Sequence, residues 1–318
     1  MKNVVAIILA LVFISSNSFS QRRKVYRAGE ATPTVTVRKD SADPKPQKVN
    51  GEVKKEKACN CKTDLDFDPT SKQALDKNKT GKPLFTGSCV TFYPNRKLEM
   101  KISYVEGRED GVLYKFYDDG TPWLELNYAE GKAYGSWKYW EKDSTLMWVQ
   151  NFRFDKKHGK QTYYYPNGNI KKSEEYVMDV KTGTFEQYYE DGGLKKTVTY
   201  KENKFDGPYM KYADDSTLLI EKEYKEGEIE GKDNSYFENG TLAYQTSYLK
   251  GEKDGEWIYN FEDGSPERIE NYNKGKKDGE WTEYYKNGKI KEELIYKKDK
   301  LISKKQYNKF GDLMESSK

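Results

Sequence analysis

Few residues in this chain could do chemistry. Its 318 residues include one histidine, His158, and three cysteines, Cys59, Cys61 and Cys89. A cysteine nucleophile needs a base within hydrogen-bond reach, so Cys89 with His158 is the only dyad the composition offers. Carboxylates are plentiful, and Asp118–Asp119, Asp214–Asp215 and Glu190–Asp191 are pairs of the kind that divide acid and base work in a polysaccharide hydrolase. Cys59-Asn60-Cys61 reads as a local bridge, a redox pair or two incidental thiols in a flexible segment. Three cysteines leave one unpaired, and no spacing with histidine makes a zinc site. No phosphate loop or nucleophile elbow occurs. What does stand out is aromatic: Trp123, Trp137, Trp140 and Trp148 crowd one stretch, with Met147, Phe152 and Phe154 beside them. Such residues serve a contact surface better than a reaction.

The elements that position these groups follow from a repeat. From Gly87 a glycine recurs every 24 residues, nine times, to Gly279, so the units start at 87, 111, 135, 159, 183, 207, 231, 255 and 279. The next step lands on Ser303, where a partial tenth unit begins. Eight residues after each glycine stands Asn or Asp, from Asn95 to Asn287, usually followed by glycine. Asx-Gly is what a two-residue type I′ hairpin turn prefers, because both central residues then take positive φ. Seventeen residues after the glycine stands an aromatic, from Tyr104 to Tyr296, and three further on stands Gly, Asp or Asn, from Gly107 to Asp299, marking a second turn between units. Each unit is therefore strand, turn, strand, turn. The fold class is all-β: an elongated, twisted antiparallel meander of nine hairpins, about 18 strands and on the order of 85 Å long at ordinary strand spacing. Residues near Lys82–Thr86 are expected to protect its first edge and Gly311-Asp312 to form its last cap.

The turn spacing sets which side chains share a face. With a two-residue turn at Asx-Gly, paired positions counted from the repeat glycine sum to about 17, and alternation gathers the regular aromatic and aliphatic columns on one face. Trp137 and Trp148 fall on that face. Trp123 and Trp140 fall on the opposite, polar face, beside Phe116 and Met147. Trp123, Trp140, Phe116 and Met147 are the candidate binding patch, an exposed aromatic group with a polar rim. The same geometry separates Cys89 from His158 by about five strands, roughly 24 Å, and puts the acidic pairs at turns, where Asp is wanted for backbone reasons. Nor do the turns carry the clustered oxygen ligands of a calcium loop. We therefore assign no catalytic residue, no metal ligand and no cofactor.

Upstream the chain changes character. Met1-Lys2-Asn3, an apolar run Val4 to Ile14, and a small polar stretch ending Ser18-Phe19-Ser20 read as a signal peptide over residues 1–20, too short to span a bilayer. Residues 21–83, rich in Lys, Thr, Asp and Pro with few aromatics, read as a flexible linker, and 84–318 as the array. Net charge is only +4, from 56 basic and 52 acidic residues, which argues against nucleic acid as partner.

The unit Tyr-x-x-Gly-x-x-x-Gly-x-aromatic-x-x-aromatic-x-x-Asx-Gly resembles MORN-type repeats, and looks most like the bacterial variant labelled as an antitoxin-type repeat. Tyr248-Leu249-Lys250-Gly251-Glu252-Lys253-Asp254-Gly255-Glu256-Trp257 and the equivalent run from Tyr272 to Trp281 carry it best. The resemblance covers residues 85–302, and departs from the common unit in its period and in lacking the additional glycines. It implies a meander of hairpins, protein contacts, membrane-proximal scaffolding and a toxin-neutralising label. A cytoplasmic antitoxin fits poorly with an export signal. The expected function is an exported, non-catalytic binding or scaffolding surface, monomeric, in the periplasm, at the outer membrane or secreted. Its partner would be a protein or envelope component, with contact to a membrane surface as a further expectation. Alternatives are a toxin-neutralising or immunity-type protein and, far behind, a polysaccharide hydrolase.

Overall fold

The computed structural model describes residues 59–317, and the expected signal peptide over 1–20 and residues 21–58 of the expected linker lie outside them. Strand follows strand in chain order. Gly87–Phe92 pairs with Leu98–Val105, which pairs with Arg108–Glu109 and Gly111–Phe116, and the pattern continues antiparallel until Lys300–Tyr307 meets Leu313–Ser317. Consecutive hairpins with short turns leave neighbours no other place to pair. The sheet is long, mostly antiparallel and not closed into a barrel.

The two turn chemistries are the reverse of the expectation. Between units, both central residues have positive φ, as in Glu106 (47°) with Gly107 (74°), or Phe154 (50°) with Asp155 (66°). This is the two-residue type I′ geometry. Within units, positive φ falls on the residue after the Asx and not on the Asx: Gly120 at 92°, Gly168 at 87°, and even Arg96 at 68°. The Arg96 amide donates to the Tyr93 carbonyl (2.9 Å) and the Tyr93 amide to the Lys97 carbonyl (2.9 Å). That is a three-residue loop, a type I turn closed by a left-handed residue. The Asx contributes its side chain. In all nine units its Oδ1 accepts the amide two residues on, as Asp119 from Thr121 (2.9 Å) and Asn239 from Thr241 (2.8 Å).

The longer loop has a consequence. Thr91 faces Met100, summing to the expected 17, but Phe92 then faces Leu98, so Glu99 is an extra residue. Every unit carries this bulge twelve residues after its glycine. The repeat glycine sits in a second irregularity, between units, where its φ is positive throughout (Gly135 77°, Gly255 75°). Away from the bulges the expected face holds: Cys89, Leu113, Trp257 and Trp281 at one position, Ile102 and Val198 opposite, and Tyr104 at the aromatic column are all buried on it.

Residues 59–83 are not a flexible linker but a folded cap. A small hairpin, Leu65–Phe67 with Ala74–Asp76, buries Leu65 and Ala74 against Ile102, Tyr104 and Leu113. Ala74 donates to the Gly107 carbonyl (2.7 Å) and Gly107 to the Phe85 carbonyl (2.7 Å). A Cβ on Gly107 would stand 2.8 Å from the Ala74 carbonyl oxygen, so only glycine fits there. Cys59–Asn60 runs parallel to Cys89–Val90, so the first edge is protected by this short strand, and Lys82–Thr86, expected to do so, pairs instead with Ala74–Asp76. Cys61 is bonded to Cys89 and Cys59 is free. At the far end, Asn308–Asp312 is a tenth turn and Leu313–Ser317 a tenth return strand. Gly311 follows Gly288 by 23 residues, one short of the period.

Candidate functional site

The aromatic group in the second and third units is not the patch that strict alternation gives. Phe116 and Trp140 end their strands on the face opposite Lys115 and Tyr139, and Phe116 stacks on Tyr114 at 6.5 Å. Trp123 is the bulged residue of its unit: Phe116 faces Pro122, Lys115 faces Leu124, and Trp123 is left over. A bulge re-aims its side chain. Trp123 accordingly stacks on Tyr117 with centroids 5.6 Å apart, and the Lys115 ammonium lies 5.6 Å from its ring. Met147 occupies the same bulge in the next unit, between Leu146 facing Trp140 and Trp148 facing Tyr139. The four residues are thus divided: Trp123 and Met147 turn to the Tyr139/Trp148 face, and Phe116 and Trp140 stay on the other. Lys171 over Tyr165 (5.4 Å) and Lys195 over Tyr189 (4.9 Å) repeat the Trp123–Tyr117 arrangement, so the re-aiming belongs to the unit.

What the structure brings together instead is one continuous aromatic face. Trp137 packs between Tyr128 (5.3 Å) and Phe152 (4.8 Å), its Nε1 donating to the Asn127 carbonyl (2.8 Å). Tyr139 stacks on Trp148 at 5.7 Å. Tyr117 donates its hydroxyl to the Trp140 carbonyl (2.9 Å), a staple to the next unit that recurs at Tyr93, Tyr165, Tyr189 and Tyr285. Trp123 also walls a recess of about 270 Å³ beneath the cap, with Phe67, Met100, Tyr104 and Lys115. Burial pushes the phenol of Tyr104 up to about 12. Tyr139 is raised further, by burial and by its hydrogen bond to Glu141. These are neutral rings at any physiological pH, suited to contact and unsuited to proton transfer.

The candidate nucleophile and one aspartate of each acid pair, Asp119, Asp191 and Asp215, have structural partners. Cys89 is spent in the disulfide. Asp119, Asp143, Asp215 and Asp263 are held below the usual carboxylate range by hydrogen bonds from the Thr or Ser two residues on. Asp118 is held low by Lys142, 2.6 Å away. His158 keeps one ring nitrogen, Nδ1, buried and without a partner, just before Gly159. Among the described residues no three His, Cys, Asp or Glu side chains stand close enough to hold a metal ion.

Farther along, the same face carries a ladder in which Tyr248, Trp257, Tyr272, Trp281 and Tyr296 follow one another at 5.1–5.2 Å. Lys253 sits over Trp257 (4.0 Å) and Tyr272 (4.6 Å), and Lys277 over Trp281 (4.1 Å) and Tyr296 (4.8 Å). Four segments beginning just after the type I′ turn, at residues 157–178, 181–202, 253–274 and 277–298, match the family model described as the MORN repeat variant. The chain carries MORN-type repeats. Each of the four MORN matches starts on a lysine, Lys157, Lys181, Lys253 or Lys277, whose ammonium lies over a ring of this face. No curated protein matches the chain. Among solved structures, a crystal structure of TcdB2-TccC3 is 13% identical with a TM-score of 0.18, over 74% of this chain and 17% of that one. One of TcdB2-TccC3-Cdc42 is 11% identical with a TM-score of 0.14, over 69% of this chain and 13% of that one. The MORN array thus spans less than a fifth of the length of these chains, and the likeness carries no argument about what it does. The cap and the basic stretch of the middle units carry no sequence motif, and the bulge that re-aims Trp123 leaves no trace in the hydrophobic alternation.

Proposed function

We propose that this MORN-repeat array is a non-catalytic binding scaffold that works outside the cytoplasm, in the cell envelope or beyond it. The observation that carries the reading is the continuous aromatic face, in which half-buried Trp123 stands beside Lys115 and half-buried Tyr139 stacks on Trp148, on a sheet built of 24-residue units. A rigid repeat surface with large amphipathic rings offers area at low entropic cost. The apolar run near the start of the sequence and a disulfide between Cys61 and Cys89 both suit an oxidising compartment. The partner is a protein or another envelope component, the array acts as a monomer, and neither cofactor nor metal is required. The test is photo-crosslinking in intact cells from a probe at Trp123 or Trp148, with fractionation of the product. One defined adduct in the exported fractions is the expected result. A protein confined to the cytoplasm, or adducts equal to those from a probe on Lys309, would remove the proposal. Toxin neutralisation rests on the family label alone and is addressed by asking whether the exported form rescues cells from a neighbouring toxic gene.

A further inference from the structure

Several charged side chains of this face are paired within the sheet. Glu270 pairs with Arg268 (2.8 Å), Glu283 with Lys291 (2.6 Å) and Asp233 with Lys222 (2.9 Å). In the middle units lysines gather with little compensation. Lys172 faces Gln187, Gln187 faces Lys196, and Lys196 faces Lys211 across successive strands, so these side chains form one row. The bulge adds Lys171 and Lys195 to the same face, over Tyr165 and Tyr189. Lys181 joins from the adjoining position, over Phe185 (4.6 Å) and Tyr200 (4.2 Å). Against these six ammonium groups stands one carboxylate, Glu174, shared by Lys172 (3.4 Å) and Lys181 (3.3 Å). Among the described residues Lys171, Lys195, Lys196 and Lys211 have no ion pair.

Like charges directly opposite on neighbouring strands destabilise a sheet. Lys196 and Lys211 are such a pair, and burial together with Lys181 and Lys211 lowers the pKa of Lys196. Six ammonium groups gathered around one carboxylate are a concentration of positive charge suited to an external anion. The row continues without a break into aromatics: Lys172 lies 4.3 Å over Tyr163, Tyr163 faces Trp148, and Trp148 stacks on Tyr139. Rings and ammonium groups therefore lie in file across the strands, along the axis of the array.

We propose that this row, from Tyr139 and Trp148 through Lys172 to Lys196 and Lys211, is a binding track for an acidic polysaccharide strand. Sugar rings pack on Trp148 and Tyr139, their carboxylates meet Lys172, Lys196 and Lys211, and Gln187 hydrogen-bonds sugar hydroxyls. A bilayer is a broad plane that would press on the whole face, whereas the unpaired lysines Lys171, Lys195, Lys196 and Lys211 cluster in a narrow row across the middle units. A nucleic acid would call for a wider basic field than a net charge of +4 provides. The inference rests on the reading of the array as a binding scaffold and names its ligand class.

The test is calorimetric titration of the full-length exported chain with oligogalacturonate. A neutral glucan oligomer, single-stranded DNA and phosphatidylglycerol vesicles serve as comparison probes. The expected result is oligogalacturonate binding that weakens with salt and falls at least tenfold in the double variant Lys196→Gln/Lys211→Gln, with no binding of the neutral glucan. The variant Lys171→Gln/Lys195→Gln, on more open positions, gives a second reading if the first folds poorly by circular dichroism. Absence of binding by the unaltered protein, undiminished binding by both variants, or tighter binding of DNA or vesicles overturns the proposal. None of these outcomes touches the cellular crosslink at Trp123, so failure of the ligand class and failure of the scaffold reading remain distinguishable.

Discussion

At the residue scale, the turn Asx shows how one atom type divides equivalent positions. Every Asx accepts an amide through Oδ1, but only asparagine also donates. Asn95, Asn167, Asn239 and Asn287 each reach the next turn, at the carbonyls of Asp118, Glu190, Glu262 and Lys309 (2.7–3.1 Å). An aspartate keeps the local turn and forgoes the staple. Asn167→Asp is therefore expected to cost about 1 kcal/mol, the usual net worth of one hydrogen bond, and Asp191→Asn to recover a similar amount. Urea denaturation of both variants checks this, and equal midpoints would sink it. The same resolution explains Trp123. Its type suggested a contact residue, but its face was set by the bulge, which in turn exists because the loop takes three residues.

At the scale of elements, the cap depends on a covalent clamp. Cys61 and Cys89 are 28 residues apart, and closing a loop of that size removes roughly 3–4 kcal/mol of unfolded-chain freedom in the entropy model. Reduction, or Cys89→Ser, is expected to free residues 59–86 from the first hairpin before the later units open. Hydrogen exchange under reductant should show protection lost at Ala74 and Phe85 while Val198 stays protected. Simultaneous loss everywhere would mean the array unfolds as one block. The inter-unit turns make a second test. Gly251 has φ of 75°, where an L-residue costs about 1–2 kcal/mol, so Gly251→Val should lower stability by about that much. The equivalent Asp155 and Asn203 are already tolerated because short polar side chains accept this geometry.

At the scale of the molecule, stability should depend on pH at both ends. Burial opposes ionisation of Glu174, but Lys172 and Lys181 outweigh it and hold its carboxyl below the ordinary value. A depressed folded value contributes stability above the ordinary glutamate range, near 4.3, and that contribution disappears as pH falls through the folded value. Thermal melts of the unaltered protein and Glu174→Gln should converge in acid and differ near neutrality. Burial raises Tyr104 to about 12, and burial with Glu174 raises Tyr176 to about 12. Stability from these phenols is complete below about pH 10 and is lost on the way to the folded value, so alkaline unfolding should coincide with their ionisation in the ultraviolet spectrum. Removing Tyr104 as Phe should move the transition upward, and an unchanged midpoint would show that the cap does not govern it.

The sequence by itself determined the period, the antiparallel meander, the positions of both turns and the face that carries Tyr104, Leu113 and Val198. These are local or strictly periodic properties: turn residues declare themselves by the backbone angles they tolerate, and alternation declares a face. Tertiary structure decided which turn has two residues and which three, and hence the bulge that carries Trp123 and Met147 across the sheet. It decided that residues 59–83 fold, because the apolar contacts of Leu65 and Ala74 are with Ile102, Tyr104 and Leu113, distant in sequence and without periodicity. It chose Cys61 over Cys59 as the partner of Cys89, since a disulfide forms by proximity in space. And it gathered Lys172, Lys196 and Lys211, separated along the chain, into one row, because only pairing across strands places side chains of different units within reach of a common ligand.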